Sequence, residues 1–219
     1  MLYSPTIMTD FFGRYLDFDT ASKKDAGILL GADNAVGDIY QVHILQEDGV
    51  QRAWFQNTFG QRVGYLEPDI SRKLKTLQAE GLEMVGVLAF VAFTDHPDEG
   101  HYWGQMAVIC YPPQESTAFG RFVEGVSKRL GEGNRPKVDL GAEGVAKIRQ
   151  TEGVWMPSQT VPLPKSEKGT AYLKQRRKLS ERMIDKGRAG NKGCYVVSWV
   201  FLLALVTLVV FLVYSWAAG

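Results

Sequence analysis

The sequence predicts an α+β protein: a small, mostly antiparallel β-barrel with two helices, followed by a linker and one C-terminal transmembrane helix. Three observations predict it. Short alternating runs between Ile39 and Leu66 are separated by glycine-bearing turns, the spacing of hairpins. Pro68–Gly81 and Ser116–Leu130 repeat apolar residues at helical intervals. Tyr195–Trp216 runs for 22 residues without a charge, and 14 of them are Val, Leu or Phe.

Taken in order, residues 1–37 form an N-terminal β extension. Phe11, Phe12, Tyr15, Leu16 and Phe18 are too apolar for a free tail, which predicts a strand or hairpin added to the sheet. The barrel with its closing helix spans residues 38–130. Ile39–Gln46 alternates as a strand, Gln51–Asn57 follows the turn at Glu47-Asp48-Gly49, and Arg62–Leu66 follows Gly60. Pro68-Asp69 opens a helix with Ile70, Leu74 and Leu77 on one stripe and Gly81 past its end. Leu82–Thr94 and Tyr102–Tyr111 form a long hairpin about the turn Asp95–His101. A second helix then places Phe119, Phe122, Val123, Val126 and Leu130 on one face. Gly120 and Gly125 within it mean that it depends on packing.

Glycines and prolines recur through residues 131–164, which reads as a linker with room for a short helix at Ala142–Gln150. Residues 165–192 read as a basic juxtamembrane helix, with helical propensity over Thr170–Lys186. Arg176, Arg177, Lys178, Arg182, Lys186, Arg188 and Lys192 are its candidate membrane-surface residues. On an anionic leaflet each adds about 1 kcal/mol. A positive topogenic flank with no further role is the plainer reading of the same charges.

As a helix, residues 195–216 measure about 33 Å, against a hydrocarbon core of roughly 30 Å. Tyr195, Trp199, Tyr214 and Trp216 sit where interfacial aromatic belts form. Eight Lys/Arg lie between Lys174 and Lys192 and none follows the span. The expectation is a single-pass, tail-anchored protein with its N-terminal domain cytoplasmic and its C-terminus outside. The lipid bilayer is its first expected partner.

Charge divides the same way. Of 219 residues, 25 are Lys/Arg and 24 Asp/Glu, but residues 1–164 carry 15 basic and 21 acidic groups. Residues 165–192 carry ten and three. This excludes a uniformly basic nucleic-acid coat and a disordered acidic chain. Cys110 and Cys194 form no disulfide framework; Cys110 reads as a buried thiol in an apolar run.

No catalytic set emerges, since a phosphate-binding GxxxxGK[ST] loop, a GxSxG elbow and a zinc-spaced cysteine pair are all lacking. His96 and His101 share a turn with Asp95, Asp98 and Glu99, the ordinary composition of a solvated turn, so no metal is expected. Gly27–Gly37 is glycine-rich but has no lysine and no nucleotide fingerprint, so no cofactor is expected either. The strongest chemical pattern is Arg52, Trp54, Arg62 and Tyr65, followed by Arg72, Lys73 and Lys75 on the first helix. Aromatic stacking beside cationic phosphate contacts suits single-stranded nucleic acid. The same residues also read as two core aromatics beside a solvated helix face, and the acidic balance of residues 1–164 opposes a polyanion.

Val63-Gly64-Tyr65-Leu66, running into the helix Asp69–Leu77, resembles the HIRAN domain, with coverage of residues 38–112. The resemblance implies a small β-barrel and, as in some family members within helicase-type remodelling proteins, recognition of the 3′ end of single-stranded DNA. The family's Asn-x-x-Asp-x-Asn-Ala segment is replaced here by GVQRAWF, in which Ala53 alone matches. The expected function is therefore a tail-anchored protein whose HIRAN-like barrel recognises single-stranded nucleic-acid ends. The alternative is a membrane-tethered adaptor for a membrane or cytoplasmic protein partner.

Overall fold

The computed structural model describes residues 10–47, 49–95, 100–166 and 168–178, together with 201, 202, 205 and 207. The chain divides into two compact units, Met1–Arg177 and Lys178–Gly219. In the first, the strands are β1 (Phe12–Asp19), β2 (Ile39–Glu47), β3 (Val50–Gln56), β4 (Arg62–Tyr65), β5 (Glu83–Thr94), β6 (His101–Tyr111) and β7 (Thr170–Lys174). The helices are α1 (Lys23–Leu30), α2 (Pro68–Ala79), α3 (Ser116–Gly131) and α4 (Ala142–Gln150). The sheet order is β2-β3-β4-β1-β6-β5-β7, and β2 also pairs with β5, so β1–β6 close into a six-stranded antiparallel barrel. The expected α+β barrel is present.

Alternation along the strands creates two apolar clusters. Inside the barrel lie Leu16, Phe18, Phe55, Val63, Leu66, Leu88, Met106 and Val108, and the ends are plugged by Leu29 of α1 and Leu74 and Leu77 of α2. Outside, the opposite faces of β5 and β6 present Val87, Ala89, Ala107 and Ile109 to the apolar stripe of α3. The α2 helix ends as its sequence indicates: Gly81 takes φ +91°, and Leu82 N donates to Leu77 O.

The interior depends on two close approaches. A Cβ on Gly64 would stand 2.4 Å from the Phe18 ring, and one on Gly104 would stand 2.9 Å from that ring and 2.4 Å from Phe90 O. Phe18, in edge contact with Phe55 at 5.7 Å, thus fills space that these glycines leave open.

Four elements differ from expectation. The helix α3, expected to close the barrel, instead packs on the outer faces of β5 and β6. Residues 1–37 supply a strand between β4 and β6, and the helix α1 as well. Residues 131–164 include the anticipated helix, α4, but do not hang as a tether. Val138, Val145 and Ile148 are buried in the outer cluster, and Lys137 N and Val161 N donate to Gln159 O and Arg135 O. Thr170–Lys174, expected as the first turns of a basic helix, is instead the strand β7. The second half of β5 has no β2 partner left, and its open hydrogen-bonding edge outweighs the local helical propensity of TAYLK.

That strand carries a clamp. Lys174 is 8% exposed, and its Nζ donates to Leu29 O, Gly31 O and Asn34 O at 3.1, 2.8 and 2.7 Å, capping the carbonyl end of α1. Beside it, Tyr40 Oη and Asn57 Nδ2 both donate to Asn34 Oδ1, while Asn34 Nδ2 donates to Ile28 O. Arg177 pairs with Asp38, donates through Nε to Val36 O, and its backbone N bonds Gly131 O. The glycine-rich loop after α1 is thus a polar junction gripped by β7.

The span 195–216 lies largely outside the described residues. Phe201, Leu202, Leu205 and Thr207 are helical, and among the described residues no helix is long and apolar enough to cross a membrane. Arg182, Lys186, Arg188, Lys192 and Cys194 also lie outside them.

Cys110 sits in the barrel interior, and burial pushes its thiol up to about 12. At pH 8 its thiolate fraction is roughly one in ten thousand. Iodoacetamide at that pH should leave Cys110 unmodified in the folded chain and label it fully in urea, as read by peptide mass spectrometry. Rapid labelling without urea would contradict the buried placement.

Candidate functional site

Ala53 and Phe55 of β3 point into the barrel, so Arg52 and Trp54 point out. Trp54 lies opposite Tyr65 of β4, with His43 of β2 on its other side. From these registers a column of four flat groups follows. The Arg62 guanidinium lies 4.8 Å from the Trp54 ring centre, Trp54 and Tyr65 are 5.1 Å apart, and the Arg52 guanidinium lies 4.7 Å from Tyr65. Arg52, Trp54, Arg62 and Tyr65, singled out from sequence, are brought together.

Glu47 at the end of β2 closes this column. Its Oε1 accepts from Arg62 Nη1 at 2.7 Å and its Oε2 from Trp54 Nε1 at 3.1 Å. Trp54 is consequently only 5% exposed, although it belongs to neither apolar cluster: it is covered from outside, by arginine and carboxylate. At Arg52, Nε is buried with no hydrogen-bond partner. His43 and Leu45 are exposed on the same face, whereas α3 covers the outer face of β5 and β6.

The three basic residues of α2 are not part of the column. Arg72 is exposed and paired with Asp69, the Lys73 ammonium lies 4.8 Å from the Phe12 ring of β1, and Lys75 is exposed. Of the membrane-surface candidates, Arg176 and Lys178 are exposed, while Arg177 is engaged with Asp38. Glu47 was legible only as a turn residue; its role needs the β2–β3 register, which places the strand end over Trp54.

A second buried cation is Arg135, 7% exposed. Its guanidinium lies 4.3 Å from the Tyr15 ring and 5.4 Å from Phe90, and its Nη2 donates to Gln105 Oε1. Burial lowers its pKa, with Tyr15, Tyr172 and Asp17 acting in the opposite sense. Tyr15 Oη donates to Pro136 O, so this cluster pins residues 135–136 to the barrel.

Among the described residues no group of three or more His, Cys, Asp or Glu is placed to hold a metal; His96, Asp98 and Glu99 lie outside them. Comparison with protein-family models, curated proteins and solved structures finds no match.

Proposed function

We propose that this chain is a membrane-tethered binding protein whose β2–β3–β4 face contacts the end of a single-stranded nucleic acid, with residues 195–216 as the tether. The observation that carries the reading is the Arg62–Trp54–Tyr65–Arg52 column. Each guanidinium presents one planar face to its ring and leaves N–H groups for phosphate, and an unstacked base extends such a column by lying on the outer guanidinium plane. The resemblance of Val63–Leu66 and Asp69–Leu77 to the HIRAN strand and helix supports the same ligand.

Glu47 favours the second reading, a membrane-tethered adaptor that binds a protein. A carboxylate within the column repels phosphate and already engages Arg62 Nη1 and Trp54 Nε1.

The full chain in nonionic detergent, titrated into labelled single strands with free or blocked 3′ ends, separates the two. Nucleic-acid recognition requires micromolar or tighter binding at low salt that depends on the free end. Replacing Arg52 and Arg62 together by Ala should flatten the salt dependence by about 1.4 in log–log slope, about 0.7 per phosphate contact. Glu47→Gln should tighten binding. Absence of binding at low salt, or binding indifferent to all three substitutions, would eliminate this reading and leave the adaptor.

A further inference from the structure

The barrel's weakest seam is between β4 and β1. On one side β1 is paired with β6 along its whole length, Phe12↔Cys110 through Asp19↔Trp103. On the other side its pairing with β4 is confined to Asp19↔Tyr65. Among the described residues, no backbone hydrogen bond outside the β1–β6 ladder reaches residues 13–18. The chain leaves β4 at Tyr65 and turns into α2, whose Lys73 meets Phe12 at the far end of the same seam. A strand edge and a helix therefore run side by side, closed at one end by the Asp19–Tyr65 pair and at the other by Phe12–Lys73.

Between them lies a groove of about 340 Å³. One wall is Arg14, Tyr15, Leu16, Asp17 and Asp19; the other is Glu67 and Ile70. Successive residues of a strand point to opposite faces. A single groove lined by Arg14 through Asp17 in unbroken succession must therefore run along the strand's edge, where backbone donors and acceptors project.

We infer that this groove binds an extended basic peptide segment of a partner protein, which adds to β1 as a strand. An unpaired strand edge beside a helix takes an extended chain, because only that conformation matches the spacing of the edge's N–H and C=O groups. Side-chain preference follows from the two faces. Toward the outer face the added strand meets Asp17 and Asp19, with Glu67 across the groove. Toward the barrel interior it meets Leu16, in the interior cluster, and Ile70, packed against it. Three carboxylates outweigh Arg14 in the lining, with Lys73 at the groove's far end, and select Lys or Arg, while Leu16 and Ile70 select Val, Ile or Leu at alternate positions. Asp17 accepts from Gln105 Nε2 at 2.8 Å through one oxygen, Oδ1. Burial raises the pKa of Asp19, with His101 opposing the rise and Asp17 adding to it. The groove lies on the β4–β1 seam; it shares Tyr65 with the column through the pairing with Asp19, but none of Arg52, Trp54 and Arg62 lines it.

The probe is a fluorescein-labelled Lys-Val-Lys-Val-Lys-Val peptide, titrated by anisotropy into the full chain in nonionic detergent. Its comparators are Glu-Val-Glu-Val-Glu-Val and two N-methylated forms, each blocking one alternate set of amides. The basic peptide should bind, and the acidic one should not. Methylation of one set should weaken binding by at least about tenfold, as loss of two or three ladder bonds requires, while the other set is tolerated. Asp17→Asn with Glu67→Lys, both at exposed positions, should weaken it similarly, and hydrogen exchange at residues 13–18 should slow when peptide is present. Equal binding of both methylated forms, equal binding of the acidic peptide, or no binding at about 1 mM would overturn the inference. Replacing Arg52 and Arg62 should leave peptide binding unchanged, so failure here and failure of the nucleic-acid reading are told apart.

Discussion

Lys174→Met is expected to lower the free energy of unfolding by about 3–5 kcal/mol. The substitution keeps the length and apolar stem of the side chain but removes the ammonium that three carbonyls share, those of Leu29, Gly31 and Asn34. Leu29 O and Asn34 O lose the donor that Lys174 supplies behind β7, Gly31 O retains its bond from Asn34 N at 3.3 Å, and α1 loses the cation at its negative end. Lys174→Arg should not restore stability, because a planar guanidinium cannot direct donors to three carbonyls grouped around one nitrogen. Urea denaturation of the full chain in detergent, followed by near-ultraviolet circular dichroism, measures both. A loss below about 1 kcal/mol for the methionine variant would mean that the carbonyls find other partners.

Phe18→Ala is expected to cost about 3–5 kcal/mol, the range for truncating a buried aromatic. Phe18 is 1% exposed and fits between Gly64 and Gly104, so its loss opens a cavity that neither glycine can fill. Gly64→Val should itself cost about 1–3 kcal/mol or more, since its Cβ would meet the Phe18 ring at 2.4 Å. Combined, the two changes should cost clearly less than their sum, because valine methyls then occupy part of the space that the ring vacates. Strict additivity in thermal or urea unfolding would mean that the other close approach at Gly64, 2.8 Å from Asp19 O to its Cβ position, sets the cost instead.

The parts of the fold that could be read from sequence were those with local signatures. The hairpins at Gly49 and Gly60, the α2 stripe ending at Gly81, the α3 face and the short helix at Ala142–Gln150 all carry their own punctuation. β7 could not be read this way. TAYLK has no strand signature strong enough to override its helical neighbours, and it is a strand because β5 is longer than the β2 that pairs with it. Segment 131–164 departs from its linker composition for a related reason: glycines and prolines rule out long elements but do not prevent packing, and Val138 and Ile148 pack well. At the candidate face, Arg52, Trp54, Arg62 and Tyr65 were legible because two adjacent strands carry them. The partners that define the face's chemistry, Glu47 above all, depend on register. The β1 groove left no mark in the sequence, because an unpaired edge is a property of what the neighbouring strand fails to reach.

The attachment of β7 has a mechanical consequence. Any pull that enters the barrel through residue 178 reaches the Arg177–Asp38 pair first, then the Lys174 trident, and then the β5–β7 ladder from Lys174 back to Thr170. These contacts lie in series, so they yield one after another instead of sharing the load. The six strands of the barrel stay out of the line of force until the seventh has peeled away. The first casualty of tension is therefore the grip on the 31–38 loop and the end of α1, which makes that junction a sacrificial joint that gives way before the barrel does.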